Sequence, residues 1–313
     1  MRLPLFKVSA PDGGEVAICP MPGSAQGLSE DVDRIRDAGI TLVLAITTPS
    51  ERPPALENAL ETRCIAFRSL PISDFGAPGP ATHAAWLKAA QLAHRILDEG
   101  GQVLAHCLGG QGRSGMAAMR LLVERGMAPL DALCALRLVR PGAVETEAQQ
   151  DWASLPAETI ILDCASSSVS WDDLHRLLSR AFVNQHERID PPSSLLRLTP
   201  DDLRRKAAAE KLWTASRGAR LAGCLFTKRL RDTVYLSKMA VWPGLQNLGI
   251  GRKMIDYVAA DAKSHGIRAL ELESRVQLTE THAAFKAYGF EEIGRTVHPG
   301  FDAPTSIRFR KTL

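Results

Sequence analysis

Val103-Leu104-Ala105-His106-Cys107-Leu108-Gly109-Gly110-Gln111-Gly112-Arg113-Ser114-Gly115 is the stretch that decides the reading of this chain. The apolar run Gln102 to Ala105 predicts a buried strand, and Ser114 to Glu124 predicts a helix with Met116, Met119, Leu122 and Val123 on one side. The loop between them aims its backbone N–H groups at one spot, where the helix dipole also favours an anion. Gly109, Gly110 and Gly112 let the loop close around a tetrahedral oxyanion without Cβ clashes. Leu108, Gly109, Gly110, Gln111 and Gly112 therefore read as a phosphate cradle, and Arg113 adds a planar fork for two phosphate oxygens. Cys107 lies inside that positive field, where its nucleophilic thiolate is favoured. Ser114 is expected to donate a hydrogen bond to the sulfur, and His106 to order the loop rather than act as a base.

Upstream, Leu70-Pro71-Ile72-Ser73-Asp74-Phe75-Gly76-Ala77-Pro78 follows an apolar strand, Cys64 to Phe67, and is rich in turn residues. One helix, Thr82 to Leu97, separates it from the cradle. An Asp in such a loop also suits an Asx-turn. His106-Cys107 with Arg113-Ser114 resembles the signature of the cysteine-dependent protein phosphatases, tyrosine-specific and dual-specificity. That resemblance implies Cys107 as nucleophile, Arg113 as phosphate ligand, Asp74 as general acid and then base, a cysteinyl-phosphate intermediate, and no metal. Ile18-Cys19-Pro20-Met21-Pro22-Gly23 and Arg140-Pro141-Gly142-Ala143-Val144-Glu145-Thr146 resemble the bacterial relatives of the cyclin-dependent-kinase-inhibitor-3-like phosphatases, which implies a water-orienting role for Gln149. Leu108, Gly109 and Gln111 offer no basic side chain for a polyanionic inositol or lipid phosphate.

Strands expected at Glu15 to Cys19 and Leu42 to Ile46, with an amphipathic helix from Ser29 to Ala38 ended by Gly39, argue an α/β layer arrangement. The length of 313 residues exceeds one such domain and predicts two cores. With 45% hydrophobic and 23% charged residues and a net charge of +3, the composition supports burial and argues against a nucleic-acid or membrane surface. There is no membrane-length apolar run and no signal-peptide core at Met1-Arg2-Leu3-Pro4. Six cysteines, Cys19, Cys64, Cys107, Cys134, Cys164 and Cys224, lack metal or disulfide-framework spacing, which suits a reducing cytoplasm. A break is expected near Leu155-Pro156-Ala157, giving domains of 1–157 and 158–313. A strand from Thr159 to Leu162 and a serine-rich loop from Ser166 to Ser170 follow it.

The second half has its own anion-binding turn. Val234 to Val241 alternates as a strand, then Trp242-Pro243-Gly244-Leu245-Gln246-Asn247-Leu248-Gly249-Ile250-Gly251 leads into a helix from Arg252 to Ser264. Amide groups of Leu248 to Gly251 at that helix start can hold a pyrophosphate. Helices are expected at Trp171 to Phe182 and Thr199 to Ala209, and a hairpin at Lys211 to Ser216 and Arg220 to Thr227. A strand from Ala269 to Ser274, a helix from Thr281 ending in Tyr288-Gly289-Phe290, and a strand from Thr305 to Arg310 follow. This order resembles the GCN5-related N-acetyltransferases (GNAT). The resemblance implies acetyl-CoA along Met239, Ala240 and Val241 and at Gln246, Asn247, Leu248, Gly249, Ile250, Gly251 and Arg252. Many relatives carry a tyrosine, the acid for the CoA thiolate, where this chain has Phe285; Tyr288 is free to pack or to face the cofactor. Glu273, Glu187, His186 and Ser237 are the candidate bases.

The expectation is a bifunctional enzyme acting on a phosphorylated protein or small phosphomonoester and on an amine acceptor. The alternative is an active phosphatase regulated by a non-catalytic acyl-CoA-binding module.

Overall fold

The computed structural model describes residues 2–24, 27–155, 160–163, 169–185 and 187–313. The chain divides into two compact units, Met1–Thr159 with Arg217–Arg220, and Ile160–Ser216 with Leu221–Leu313. The expected break at 157 and most of the serine-rich loop lie outside the described residues.

The first unit runs β1 (Phe6–Ser9), β2 (Glu15–Cys19), α1 (Leu28–Asp37), β3 (Ile40–Ala45), α2 (Leu56–Glu61), β4 (Ala66–Ser69), α3 (Pro80–Asp98), β5 (Gln102–His106), α4 (Gly112–Glu124), α5 (Pro129–Val139) and α6 (Glu147–Ser154). Its five-stranded sheet has the order β1-β2-β5-β3-β4, parallel throughout except for the antiparallel edge strand β1. Side chains alternate across a strand, so β2, β3 and β5 feed two cores. Val16, Ile18, Leu42, Leu44, Val103 and Ala105 face a cluster with Trp86, Met116 and Met119, while Ala17, Val43, Ala45 and Leu104 face Val32, Ile35 and Leu60. Every residue of α4 is buried, so this helix is a rigid support. The fully buried Glu124 at its end is held by His94 Nε2 (2.7 Å), Arg120 Nε (2.9 Å) and Trp86 Nε1 (3.3 Å).

In the second unit, β6 (Ile160–Asp163), α7 (Trp171–Phe182), α8 (Pro200–Ala209), β7 (Lys211–Arg217), β8 (Arg220–Arg229), β9 (Thr233–Val241), α9 (Ile250–Ser264), β10 (Ala269–Arg275), α10 (Thr279–Ala287), β11 (Glu291–Thr296) and β12 (Ser306–Thr312) follow one another. The sheet order is β11-β12-β10-β9-β8-β7-β6. β9 and β10 pair in parallel only from Thr233 and Ala269 as far as Leu236 and Leu272, and both strands continue beyond that point. A bulge in the β8–β9 pairing puts Lys238 at φ +52°, which turns the end of β9. No helix among the described residues is long and apolar enough to cross a membrane.

The differences from the sequence expectations are mostly at element ends. Helices α4 and α9 each begin two residues earlier than their patterns suggest, at Gly112 and Ile250, because glycine-containing first turns carry no apolar periodicity. Strands β1 and β11 and helices α2 and α5 are additional elements, short or weakly patterned in sequence.

Candidate active sites

Parallel strands deliver the loops after their carboxyl ends to one edge of the sheet, where ligands of open α/β sheets bind. Three such loops meet in the first unit. The loop after β5 carries Cys107, the one after β4 carries Asp74, and a short helical turn after β3, Pro49–Glu51, carries Glu51.

Cys107 is 3% exposed, and its Sγ lies 3.3 Å from Ser114 Oγ. Gly110 has φ +67°, and a Cβ there would fall 2.4 Å from Pro20 N and 2.5 Å from Cys19 C, so only glycine lets the loop lie against the end of β2. Met21 N donates to Leu108 O (3.1 Å). Arg140 grips the loop from outside, Nε donating to Gly110 O (3.1 Å) and Nη2 to Gly109 O (2.9 Å). Gln111 Nε2 donates to Pro141 O (3.0 Å). The stretch from Arg140 to Thr146 is thus a collar around the cradle. Gly112 opens α4 with Glu145 against it, and Arg113 and Ser114 occupy the first helical turn.

Arg113 is 1% exposed; both of its terminal nitrogens are engaged, while its buried Nε has no hydrogen-bond partner among the described residues. Nη1 and Nη2 donate to Glu51 Oε2 and Oε1, each at 2.9 Å, Nη1 also donates to Ile72 O (2.9 Å), and Nη2 pairs with Asp74 Oδ1 at 3.0 Å. The hydrogen bonds from Arg113 hold the Glu51 carboxyl down at about 2 against the effect of burial, with help from Thr48, whose amide donates at 2.8 Å. Burial pushes the His106 imidazole down to about 3, a backbone hydrogen bond to Cys107 opposes this, and Arg52 and Arg113 push it further down. Burial thus disfavours the charged His106 imidazole, which weighs against a proton-transfer role.

Asp74 is 55% exposed, and its loop is latched from below. Thr146 Oγ1 donates to Phe75 O (3.3 Å), and Gln149 Nε2 donates to Gly76 O (3.3 Å) while its Oε1 accepts from Glu145 N (3.0 Å). Both ends of the buried Gln149 amide are engaged, so in this arrangement it ties the acid loop to the collar rather than offering itself to a water. Sequence reasoning missed Glu51 and Arg140. Thr48-Pro49-Ser50-Glu51 is legible as a capping box, but nothing local names Arg113 as its partner.

The second unit holds a cleft of about 540 Å³. One side is Met239, Ala240 and Val241 of β9 with Gln246, Asn247, Gly249, Ile250 and Gly251 at the start of α9. Gly249 is in the left-handed region at φ +76° and turns the chain into the helix. A Cβ on Gly251 would meet Met239 Cε at 2.9 Å and Tyr288 Oη at 3.5 Å, so the side chains of β9 and the tyrosine hydroxyl close on this turn of the backbone. This is a fit for a pyrophosphate at the helix N-terminus and a narrow acyl-thioester arm between the parting strands. Leu248 is exposed, and Arg252 reaches toward Asp256 at 3.9 Å; neither lines the cleft.

Glu273 and Ser237 line the cleft, the latter's Oγ being 3.4 Å from Glu210 Oε2. Glu187 is exposed and away from its lining, and His186 lies outside the described residues. Phe285 lines the cleft and packs on Phe290 and Phe309. Among the described residues no group of three or more His, Cys, Asp or Glu is gathered to hold a metal.

Comparison with known proteins agrees with this division. A family model described as "Swiss Army Knife protein, DSP-PTPase phosphatase domain" matches residues 20–153, and the model of the GNAT acetyltransferase family matches residues 171–290. Cyclin-dependent kinase inhibitor 3 of Mus musculus is 30% identical over 161 residues, covering 48% of this chain and 74% of that protein. An aminoglycoside N(6')-acetyltransferase type 1 of Stenotrophomonas maltophilia is 39% identical over 64 residues, covering 20% of this chain and 42% of that protein. A GNAT-family acetyltransferase structure from Staphylococcus aureus Mu50 superposes with a TM-score of 0.41 at 19% identity, covering 49% of this chain and 99% of its own.

Proposed function

Because the chain belongs to the dual-specificity phosphatase family through its first half and to the GNAT acetyltransferases through its second, we propose that it hydrolyses phosphomonoesters within residues 1–157 and acetylates an amine within residues 158–313. The observation that carries the phosphatase reading is the buried Cys107 thiol beside Ser114, with Arg113 held in a fixed orientation by Glu51.

The substrate phosphate enters the cradle of Leu108 to Gly112 and competes with Asp74 for Nη2 of Arg113. The Cys107 thiolate attacks phosphorus in line with the ester oxygen; the S–P bond forms, the P–O bond breaks, and protonated Asp74 gives its proton to the leaving oxygen. Water then attacks the cysteinyl-phosphate, the Asp74 carboxylate takes its proton, and the S–P bond breaks to release inorganic phosphate. Ser114 Oγ donates to the departing sulfur. His106, neutral and buried, orders the loop. The substrate is a phosphorylated protein or a small phosphomonoester, and a reducing compartment such as the cytoplasm keeps the thiol usable.

In the second half acetyl-CoA is the co-substrate, with its pyrophosphate at Gln246 to Gly251 and its arm along Met239 to Val241. The acceptor ammonium first gives one proton to solvent; the freed lone pair attacks the thioester carbon, the C–N bond forms, the C–S bond breaks, one nitrogen proton passes to the CoA thiolate and the last stays on the amide nitrogen. Holding the two reactants together supplies much of the rate. Tyr288 and Glu273 are the polar groups nearest to this role.

Two assays test the proposal on the full chain. Hydrolysis of p-nitrophenyl phosphate must vanish in Cys107→Ser; turnover that survives refutes the nucleophile. Release of CoA thiol from acetyl-CoA must depend on an added amine and be lost in Gly251→Val. Acetyl-CoA binding with no transfer to any amine would instead favour the regulatory alternative.

A further inference from the structure

The end of the cleft away from Gly249 and Gly251 is built differently from the rest. Ile189, Ser193 and Leu195 from the segment after α7, Leu278 and Glu280 at the start of α10, and Glu273, Ser274 and Arg275 at the free end of β10 complete its lining. Arg188 reaches Glu280 in a bidentate pair at 2.6 and 3.0 Å, fastening the segment after α7 to the start of α10. This part of the lining is a compartment set apart in sequence from the residues read for the cofactor.

Two opposite charges line it on one strand face. Glu273 and Arg275 are two residues apart, so their side chains project to the same side about 7 Å apart. Arg275 is held without being neutralised. Among the described residues its hydrogen-bond partner is the His298 ring at 2.8 Å, while Asp190 and Glu273 act on it only through space. Burial and the Arg275 charge lower the His298 imidazole below its usual range, so that partner is uncharged. The Arg275 carbonyl is pinned by His282 Nε2 (2.8 Å) and Leu278 N (3.1 Å), which fixes the residue's backbone. Ser274, between them in sequence, projects to the opposite face of β10.

We infer that this compartment binds an acceptor whose amine is accompanied, a few bonds away, by an anionic group, carboxylate or phosphate. Arg275 receives the anion and Glu273 faces the ammonium. The inference rests on the acetyltransferase reading and names its substrate class. An acceptor of this class places its nitrogen toward the splayed strands because its anion is fixed at their far end.

Calorimetry on the full chain saturated with CoA tests it without turnover. The probes are 2-aminoethylphosphonate, whose C–P bond the phosphatase half cannot hydrolyse, β-alanine, and uncharged-tail propylamine. Both anionic amines, or one of them, should bind more tightly than propylamine, the preferred one identifying phosphate or carboxylate as the natural anion. Arg275→Met should weaken the preferred probe by about ten- to hundredfold, the range of a charge-assisted hydrogen bond, and Arg275→Lys by less. Propylamine and CoA affinities should stay unchanged in both variants. Propylamine binding as tightly as the anionic amines, kanamycin binding more tightly than either, or Arg275→Met leaving the anionic probes unaffected while CoA still binds, overturns the inference. A wild type that binds these probes but never transfers acetyl overturns the acetyltransferase reading alone.

Discussion

Glu51 holds both terminal nitrogens of Arg113 at 2.9 Å, across 62 residues of sequence. This fork-to-fork contact leaves the guanidinium one orientation, so the edge offered to a phosphate is set before any ligand arrives.

Glu51→Gln should keep the fold but lose that orientation. A loss of about ten- to hundredfold in kcat/KM for p-nitrophenyl phosphate is expected, with weaker inhibition by vanadate. The pH profile separates this from proton transfer. With its carboxyl held down at about 2, Glu51 contributes fully above its ordinary range and loses its contribution only as pH falls toward that value. The acid limb of the profile near neutrality should therefore not move in Glu51→Gln, only the plateau. A shifted limb would mean that Glu51 titrates in the reaction.

Asp74 and Gln149 should separate by leaving group. Asp74→Asn is expected to lower kcat by about 10²- to 10⁴-fold on a poor leaving group such as phenyl phosphate, and much less on a nitrophenolate. Gln149→Ala, which frees the acid loop at Gly76, should reproduce a weaker form of that pattern with vanadate affinity intact. Equal losses on both substrates would argue for a different acid.

His106 links stability to acid. Its folded value is lowered to about 3, so the stability it confers is complete above the ordinary imidazole value and is lost as pH falls from that value toward 3. His106→Asn should flatten the decline of Tm across that window. An unchanged slope would assign the acid sensitivity elsewhere.

Gly110→Ala should be more damaging than its one methyl suggests. Its φ of +67° and the approach of Pro20 N to 2.4 Å leave the added carbon no room. A cost of about 2 kcal/mol or more is expected by urea unfolding, together with lost vanadate binding. A variant of wild-type stability and activity would mean the loop can relax away from β2.

Gly251→Val should abolish acetyl-CoA binding by calorimetry while aryl phosphate hydrolysis continues at the wild-type rate. Loss of both activities would show that the two halves depend on one another.

The chemistry-bearing residues of the first unit were legible because their signal is local: a strand, a glycine-rich turn, a cysteine and an arginine six positions apart, and a helix. Strands β2 and β5, the full span of α7 and the hairpin of β7 and β8 were legible for the same reason. Gln149 shows the limit. Its residue type and position resemble a water-orienting glutamine, yet its two amide ends are taken by Glu145 and Gly76, and no local pattern encodes that.

By itself, then, the amino-acid sequence determined the type of the strongly patterned segments and which groups are candidates to react, since amphipathic helices, apolar strands and glycine turns depend on neighbours along the chain. Only the tertiary structure decided which groups meet. The strand order β2-β5-β3-β4 brings Glu51 under Arg113, and the parting of β9 from β10 after Leu236 and Leu272 opens the cleft that Arg275 lines. Such contacts join residues far apart in the chain, and they are fixed by how sheets pair and cores fill, which no short window of sequence contains.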